Sequence, residues 1–187
     1  ALKETNPKHK VVAVQAACPR SMKVAMEAGQ RVELGPAQTI ADGIAVRRVG
    51  RHAIPLVRKY ANGVVLVDEE EVSEAVLLLL EKEKTVAEGA GAVGLAALVH
   101  RRLELQGKRV VVVLSGGNID VSLMARIIER GLVKTGRRVR LRVTAPDVAG
   151  TLAHLAQVVA SEGANILEIE HDRAFSGAGL GETLIEL

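Results

Sequence analysis

The chain has 187 residues, 48% of them apolar and 25% charged, and its 25 basic and 22 acidic side chains leave a net charge of +3. That length allows one ordinary domain or two small ones with a sizeable core. Mixed-sign charge, with Tyr60 and Phe175 as the aromatic residues, excludes an ordinary nucleic-acid surface, which needs basic patches and stacking platforms.

The chain opens on Ala1-Leu2-Lys3-Glu4 without an initiator Met, which reads as the tail of a helix already in progress and suggests a fragment. Asn6-Pro7 stops that helix at Thr5. A strand is predicted at Val11 to Gln15, then a helix capped by Ser21 and ended by Gly29. Lone Cys18 excludes an intramolecular disulfide and points to a reducing compartment, so a cytoplasmic protein is expected. Residues 30–50 are irregular, centred on Thr39-Ile40-Ala41-Asp42-Gly43, and long irregular loops in compact domains are often functional.

A helix at Ala53 to Tyr60 and a strand at Gly63 to Val67 follow. Asp68 and Glu71 then stand at capping-box spacing before a helix whose apolar positions are Val72, Ala75, Val76, Leu79 and Leu80. Lys84 ends its charged Glu-Lys-Glu-Lys face, which reads as solvated. The small-residue stretch Val86 to Gly94 is expected to lead into a helix from Leu95 to Leu105. Such a stretch serves either close helix packing or close approach to a cofactor.

Val110 to Leu114 is a continuous apolar run, predicted to be a buried central parallel strand. It ends in Ser115-Gly116-Gly117-Asn118, and the carboxyl ends of such strands hold ligands. A tight turn without a ligand would read the same way. A helix from Val121 to Arg130, ended by Gly131, precedes a linker at 134–138. The cluster Arg137, Arg138, Arg140 and Arg142 reads as solvated linker and strand edge.

Beyond the linker the pattern alternates. Strands are predicted at Arg140 to Thr144, Ile166 to Glu170 and Glu182 to Leu187, with a helix at Thr151 to Ser161 and a glycine-rich turn at Ser176 to Gly181. That order, β-α-β-β, is two elements short of a ferredoxin-like module. No apolar run approaches the roughly 20 residues that span a bilayer, so no membrane partner is expected.

Taken together, Thr39 to Gly43, Glu88 to Ala92, Ser115 to Asp120 and the Pro146-Asp147-Val148-Ala149-Gly150 module resemble the threonine dehydratase (threonine ammonia-lyase) family, pyridoxal-phosphate enzymes of fold type II with a C-terminal ACT regulatory domain. The resemblance implies an α/β protein: residues 1–133 as the later part of a three-layer, parallel-sheet catalytic domain, and 139–187 as an incomplete ferredoxin-like α+β ACT domain. It implies β-elimination of L-threonine to 2-oxobutanoate and ammonia, with L-serine as a second substrate, in isoleucine biosynthesis or threonine catabolism, by a homo-oligomer when full length. Ser115 would address the pyridine nitrogen of pyridoxal 5'-phosphate, Gly43 would face the ring, and Glu88 would lie at the cofactor's edge. Gly116 belongs to the same cofactor-binding loop, and Asn118 would help to hold it.

The departures are as informative. The family's Schiff-base lysine lies in a Ser-x-Lys-x-Arg-Gly stretch, and neither that context nor the phosphate-cradling glycine run occurs here, so the fragment is expected to be inactive alone. Serine racemases share the same three catalytic stretches and remain the alternative enzyme. Their metal site uses carboxylates where Gln15 and Ser21 stand here, and the five histidines show no ligand spacing, so no metal is expected. A non-catalytic amino-acid-sensing module is the alternative of another class. In the C-terminal module, Asp147, Val148, Ala149 and Gly150, with Asn165, would bind an effector, isoleucine or valine, at a helix start. The other reading of those residues is an ordinary helix cap.

Overall fold

The computed structural model describes residues 2–173, 175 and 177–187. Ala1 and Ser176, which open the expected first helix and glycine-rich turn, lie outside the described residues. Two compact units divide the chain, Ala1–Leu132 and Val133–Leu187.

In the first unit, α1 (Leu2–Thr5), β1 (Val12–Ala16), α2 (Ser21–Ala28), α3 (Ala53–Tyr60), β2 (Gly63–Val67), α4 (Glu69–Leu78), α5 (Gly89–Val99) and α6 (Val121–Lys134) follow one another. β1 and β2 pair in parallel, Val12 opposite Gly63 through Ala16 opposite Val67. Against them, the stripe Val72, Ala75, Val76 and Leu79, spaced by three and four residues, packs on Ala92, Ala96 and Ala97 of α5 and Ile127 of α6. The alanines let α5 come close, so this core is made of small side chains.

The predicted capping box starts α4. Asp68 Oδ1 accepts the Glu71 N–H at 2.9 Å, and Glu71 Oε2 accepts the Asp68 N–H at 2.9 Å. Glu71 Oε1, buried in the fold, also accepts Arg102 Nε at 2.7 Å. Glu71→Ala therefore removes a cap and a charge-assisted bond together. We expect it to lower stability by about 1–3 kcal/mol, read from the midpoint of urea unfolding.

Several expectations need correction. Ser21 is the first residue of α2 rather than its cap and makes no capping bond; being buried, its hydroxyl accepts Gln15 Nε2 at 3.3 Å instead. Helix α5 begins at Gly89, not Leu95, because Ala92 and Ala96 are core residues whose burial outweighs glycine's low helix propensity. It stops at Val99, well before Leu105, where the backbone turns to a positive φ at Arg101. Helix α6 runs through Gly131 to Lys134. A Cβ at Gly131 would overlap Leu77 Cδ2, so the glycine allows α6 to approach α4 and does not end the helix.

The largest correction concerns Val110 to Leu114. Among the described residues the segment has no ladder partner, and Val111 and Val113 are 92% and 77% exposed. A buried central strand needs a neighbour on each edge and cover on each face. Among the described residues β1 and β2 pair only with each other, in place of the expected broad sheet, and α5 lines one side, where a Cβ on Gly94 would stand 2.9 Å from Val112 Cγ1.

The second unit holds β3 (Arg142–Pro146), α7 (Thr151–Ser161), β4 (Glu170–Asp172) and β5 (Glu182–Glu186), in the predicted β-α-β-β order. The sheet is antiparallel, ordered β3-β5-β4, and β3 alternates exposed and half-buried residues. The strand expected at Ile166 to Glu170 lies further on. Glu170 already pairs with Glu186, so the residues before it find no ladder partner in β5. Arg140 and Arg142 both reach Glu186, at 3.1 and 2.6 Å, which ties part of the basic cluster to the sheet.

Candidate functional site

Glu88 is the residue on which the first candidate site converges. It caps α5 in an extended conformation, so its side chain leaves the helix axis and faces two loops. Its N–H donates to the Gly116 carbonyl at 3.3 Å, and its Oε2 accepts the Asn118 N–H at 3.2 Å. Gly116 has φ +82°, and a Cβ there would stand 2.5 Å from the Glu88 carboxylate. Both constraints restrict the position to glycine. From the other loop, Gly43 lies in a single 3-10 turn, Asp42–Ile44, where a Cβ would meet Glu88 Oε1 at 3.2 Å and Ala90 Cβ at 3.1 Å. One half-buried carboxylate thus gathers Gly43, Gly116 and Asn118.

Helix α5 sets the height of both loops through its missing side chains. A Cβ on Gly89 would overlap the Ile40 carbonyl oxygen, and one on Gly91 would overlap the Ser115 carbonyl oxygen. The small-residue stretch is therefore a packing surface for loop backbone. Ser115 itself is exposed, with its peptide pressed on α5. At the far end of the loop, Asp120 Oδ1 accepts the N–H groups of Ser122 and Leu123, at 2.9 and 3.1 Å, and so fixes the start of α6. The arrangement offers an open face with a hydroxyl, flat glycine backbone and an acceptor carboxylate, suited to a flat polar ring.

Sequence reasoning missed Glu69. Its Oε2 accepts the Ile40 N–H at 2.8 Å and so ties α4 to the Thr39 to Gly43 loop. It stands within the acidic run Asp68 to Glu71 at the start of α4, and no local signal announces a bond to a residue 29 positions away.

The second unit has a cleft of about 530 Å³, walled by the loop Asp147 to Gly150 and by His171, Arg173 and Thr183. Arg173 Nε donates to Asp147 Oδ2 at 2.7 Å, and this bond holds the Asp147 carboxyl below its usual range. His171 Nε2 lies 3.9 Å from Asp147 Oδ1. Asp147, Val148, Ala149 and Gly150 line this cleft, whereas Asn165 is exposed in the irregular stretch after α7 and does not. His171 and Arg173 belong to no motif, and their separation from Asp147 in sequence hid them.

Among the described residues no group of three His, Cys, Asp or Glu side chains could hold a metal ion, and no helix is long and apolar enough to cross a membrane. The chain belongs to the pyridoxal-phosphate dependent enzyme family, whose profile matches residues 1–116. Its nearer resemblance is to named ammonia-lyases. It is 44% identical to an L-threonine ammonia-lyase of Thermotoga maritima, covering 100% of this chain and 46% of that one. It is 45% identical to an L-threonine ammonia-lyase of Geobacter sulfurreducens, covering 100% of this chain and 47% of the other. The chain thus spans about half the length of these relatives. Among solved structures it is similar to the processed form of threonine deaminase isoform 2 from Solanum lycopersicum, with TM-score 0.62 and 27% identity over 68% of this chain and 38% of that one. The first unit is accordingly part of a fold type II pyridoxal-phosphate domain.

Proposed function

We propose that this chain is the later part of a threonine ammonia-lyase, which eliminates water from L-threonine, and also from L-serine, and hydrolyses the resulting imine with one water to give the 2-oxoacid and ammonia. The observation that carries the reading is the gathering of Gly43, Gly116 and Asn118 around Glu88, beside exposed Ser115. These residues fit the ring end of pyridoxal phosphate. At both Gly43 and Gly116 a Cβ would crowd the Glu88 carboxylate, so the two glycines keep flat backbone beside it, and an unencumbered hydroxyl stands at the next position.

When bound, the cofactor supplies an electron sink for charge developing at the substrate's Cα. Ser115 would meet the ring nitrogen. A serine hydroxyl is too weak an acid to protonate that nitrogen, so it tempers the sink, which suits prompt loss of a β-hydroxyl and disfavours slower transamination. Glu88 would hold the Ser115 loop through Asn118 and stand at the ring's edge, while Gly43 would cover one face and exclude water. We read the second unit as an ACT-type domain over 139–187, in which the cleft beside Asp147 and Arg173 would take an amino-acid effector.

The test, like those that follow, uses the holoenzyme of the complete protein and not this chain alone, which carries neither the Schiff-base lysine context nor the phosphate-cradling glycine run. L-Threonine should yield 2-oxobutanoate at an enzymatic rate, and Ser115→Ala should lower kcat by about ten- to a hundredfold, the loss of one strong hydrogen bond. Ser115→Asp should divert turnover towards transamination, seen as conversion of the cofactor to its amine form. D-Serine from L-serine as the main product, without 2-oxoacid, would replace the lyase reading with a racemase one.

A further inference from the structure

The three consecutive glutamates at the start of α4 have three different partners. Glu71 closes the capping box and holds Arg102. Glu70 pairs with Arg130. Glu69 reaches away from its own helix to the Ile40 N–H, at 2.8 Å. Ile40 is held at its carbonyl as well, through the following peptide. The Ile40 carbonyl occupies the space that a Cβ on Gly89 would need, and Ala41 N would lie 3.0 Å from that Cβ. Ala41 is fully buried, and its carbonyl accepts the Ile44 N–H at 3.0 Å, closing the turn that carries Gly43. Ile40 is thus held on both sides, its N–H by a carboxylate of α4 and its carbonyl against the bare backbone of α5, and Gly43 follows three residues later.

We propose that Glu69 is a positioning residue for the cofactor: by holding the Ile40 N–H it fixes where the Gly43 turn stands relative to Glu88 and the Ser115 loop. The role rests on the cofactor reading above. A charged acceptor suits it, because a hydrogen bond to a carboxylate is stronger than one to a neutral oxygen, and because the N-terminus of α4 favours negative charge at Glu69. Glutamate also has the length to reach a separate loop; aspartate would keep the charge at the helix start and fall short.

Three variants of the holoenzyme test this: Glu69→Ala, Glu69→Asp and Glu69→Gln. The readouts are the dissociation constant of pyridoxal phosphate, the visible circular dichroism of the bound cofactor, the melting temperature, and KM and kcat measured separately. Glu69→Ala and Glu69→Asp should each weaken cofactor retention about tenfold, the size of one strong hydrogen bond lost. Both should change the cofactor's circular dichroism, and Glu69→Asp should melt with the parent. Glu69→Gln keeps an acceptor of the same reach and should stay within about twofold of the parent.

Cofactor affinity and dichroism unchanged in both Glu69→Ala and Glu69→Asp would overturn the proposal. So would full retention in Glu69→Asp beside a tenfold loss in Glu69→Gln, since charge at the helix start, and not the hold on Ile40, would then be responsible. If Glu69→Ala does not fold, Glu69→Asp decides alone. A parent protein that takes up no pyridoxal phosphate would instead defeat the cofactor reading, which separates that failure from this one.

Discussion

Gly91→Ala, a change of one methyl group, should remove most of the activity while leaving the rest of α5 helical. The added Cβ would overlap the Ser115 carbonyl oxygen and stand 2.9 Å from the Ser115 carbonyl carbon and 3.3 Å from the Gly116 oxygen. All three are backbone atoms, so no rotamer change relieves the clash and the Ser115 loop must lift from the helix. Overpacking of this kind costs about 1–3 kcal/mol, against which alanine regains about 1 kcal/mol of helix propensity. The net loss of stability should therefore be modest. Activity should fall much further, by about a hundredfold, because misplacing a reacting group by roughly 1 Å has that consequence.

Gly94→Ala is the internal control. Its Cβ would meet Val112 Cγ1 at 2.9 Å, the end of a side chain in a segment with little cover on its other faces. A small movement of Val112 relieves that contact, and the gain in propensity should leave the variant near or above parental stability with nearly full activity. Equal activity loss in both variants would mean that α5 tolerates no added volume anywhere, and the specific link to the Ser115 loop would be lost. The measurements are urea unfolding and initial rates on L-threonine for each holoenzyme.

This contrast also shows what the sequence could and could not reveal. Elements governed by their own residues were legible. The Asp68 and Glu71 spacing predicts a reciprocal cap that forms, and Gly29 takes the left-handed conformation expected after α2. The four motif stretches led to the right family. Elements governed by distant partners were not legible. Five apolar residues at 110–114 read as a central strand, yet strand formation belongs to the sheet as much as to the segment. Gly131 carries the signature of a helix stop, yet Leu77, 54 positions earlier, decides that it lies inside α6. The same reason hid Glu69, whose partner is a backbone N–H in a loop without regular periodicity.

In the second unit, removing either member of the Asp147 and Arg173 pair should weaken the proposed effector response. A free amino acid carries a carboxylate and an ammonium group, and the cleft presents a guanidinium and a carboxylate 2.7 Å apart, so the ligand can engage both charges at once. Arg173→Ala or Asp147→Ala should weaken isoleucine or valine at least about tenfold, at the lower end for a charged pair because both side chains remain partly in water. Calorimetric titration of the holoenzyme reads this directly, and full heat in both variants would move the effector elsewhere.

Acid titration gives a second measure. The Arg173 hydrogen bond is the main cause holding the Asp147 carboxyl below its ordinary value of 3.8, with the nearby His171 adding a smaller pull in the same direction. A carboxyl lowered by folding contributes stability that is present above 3.8 and is lost as pH falls through the lowered value. The pair should thus stay intact as the pH is lowered from neutrality to 3.8 and break only below it. Followed by carboxyl carbon NMR, the Asp147 midpoint should lie below 3.8 in the parent and rise towards it in Arg173→Ala. An unmoved midpoint would show that Arg173 does not hold Asp147 in solution, and the charge pairing proposed for the effector would fall with it.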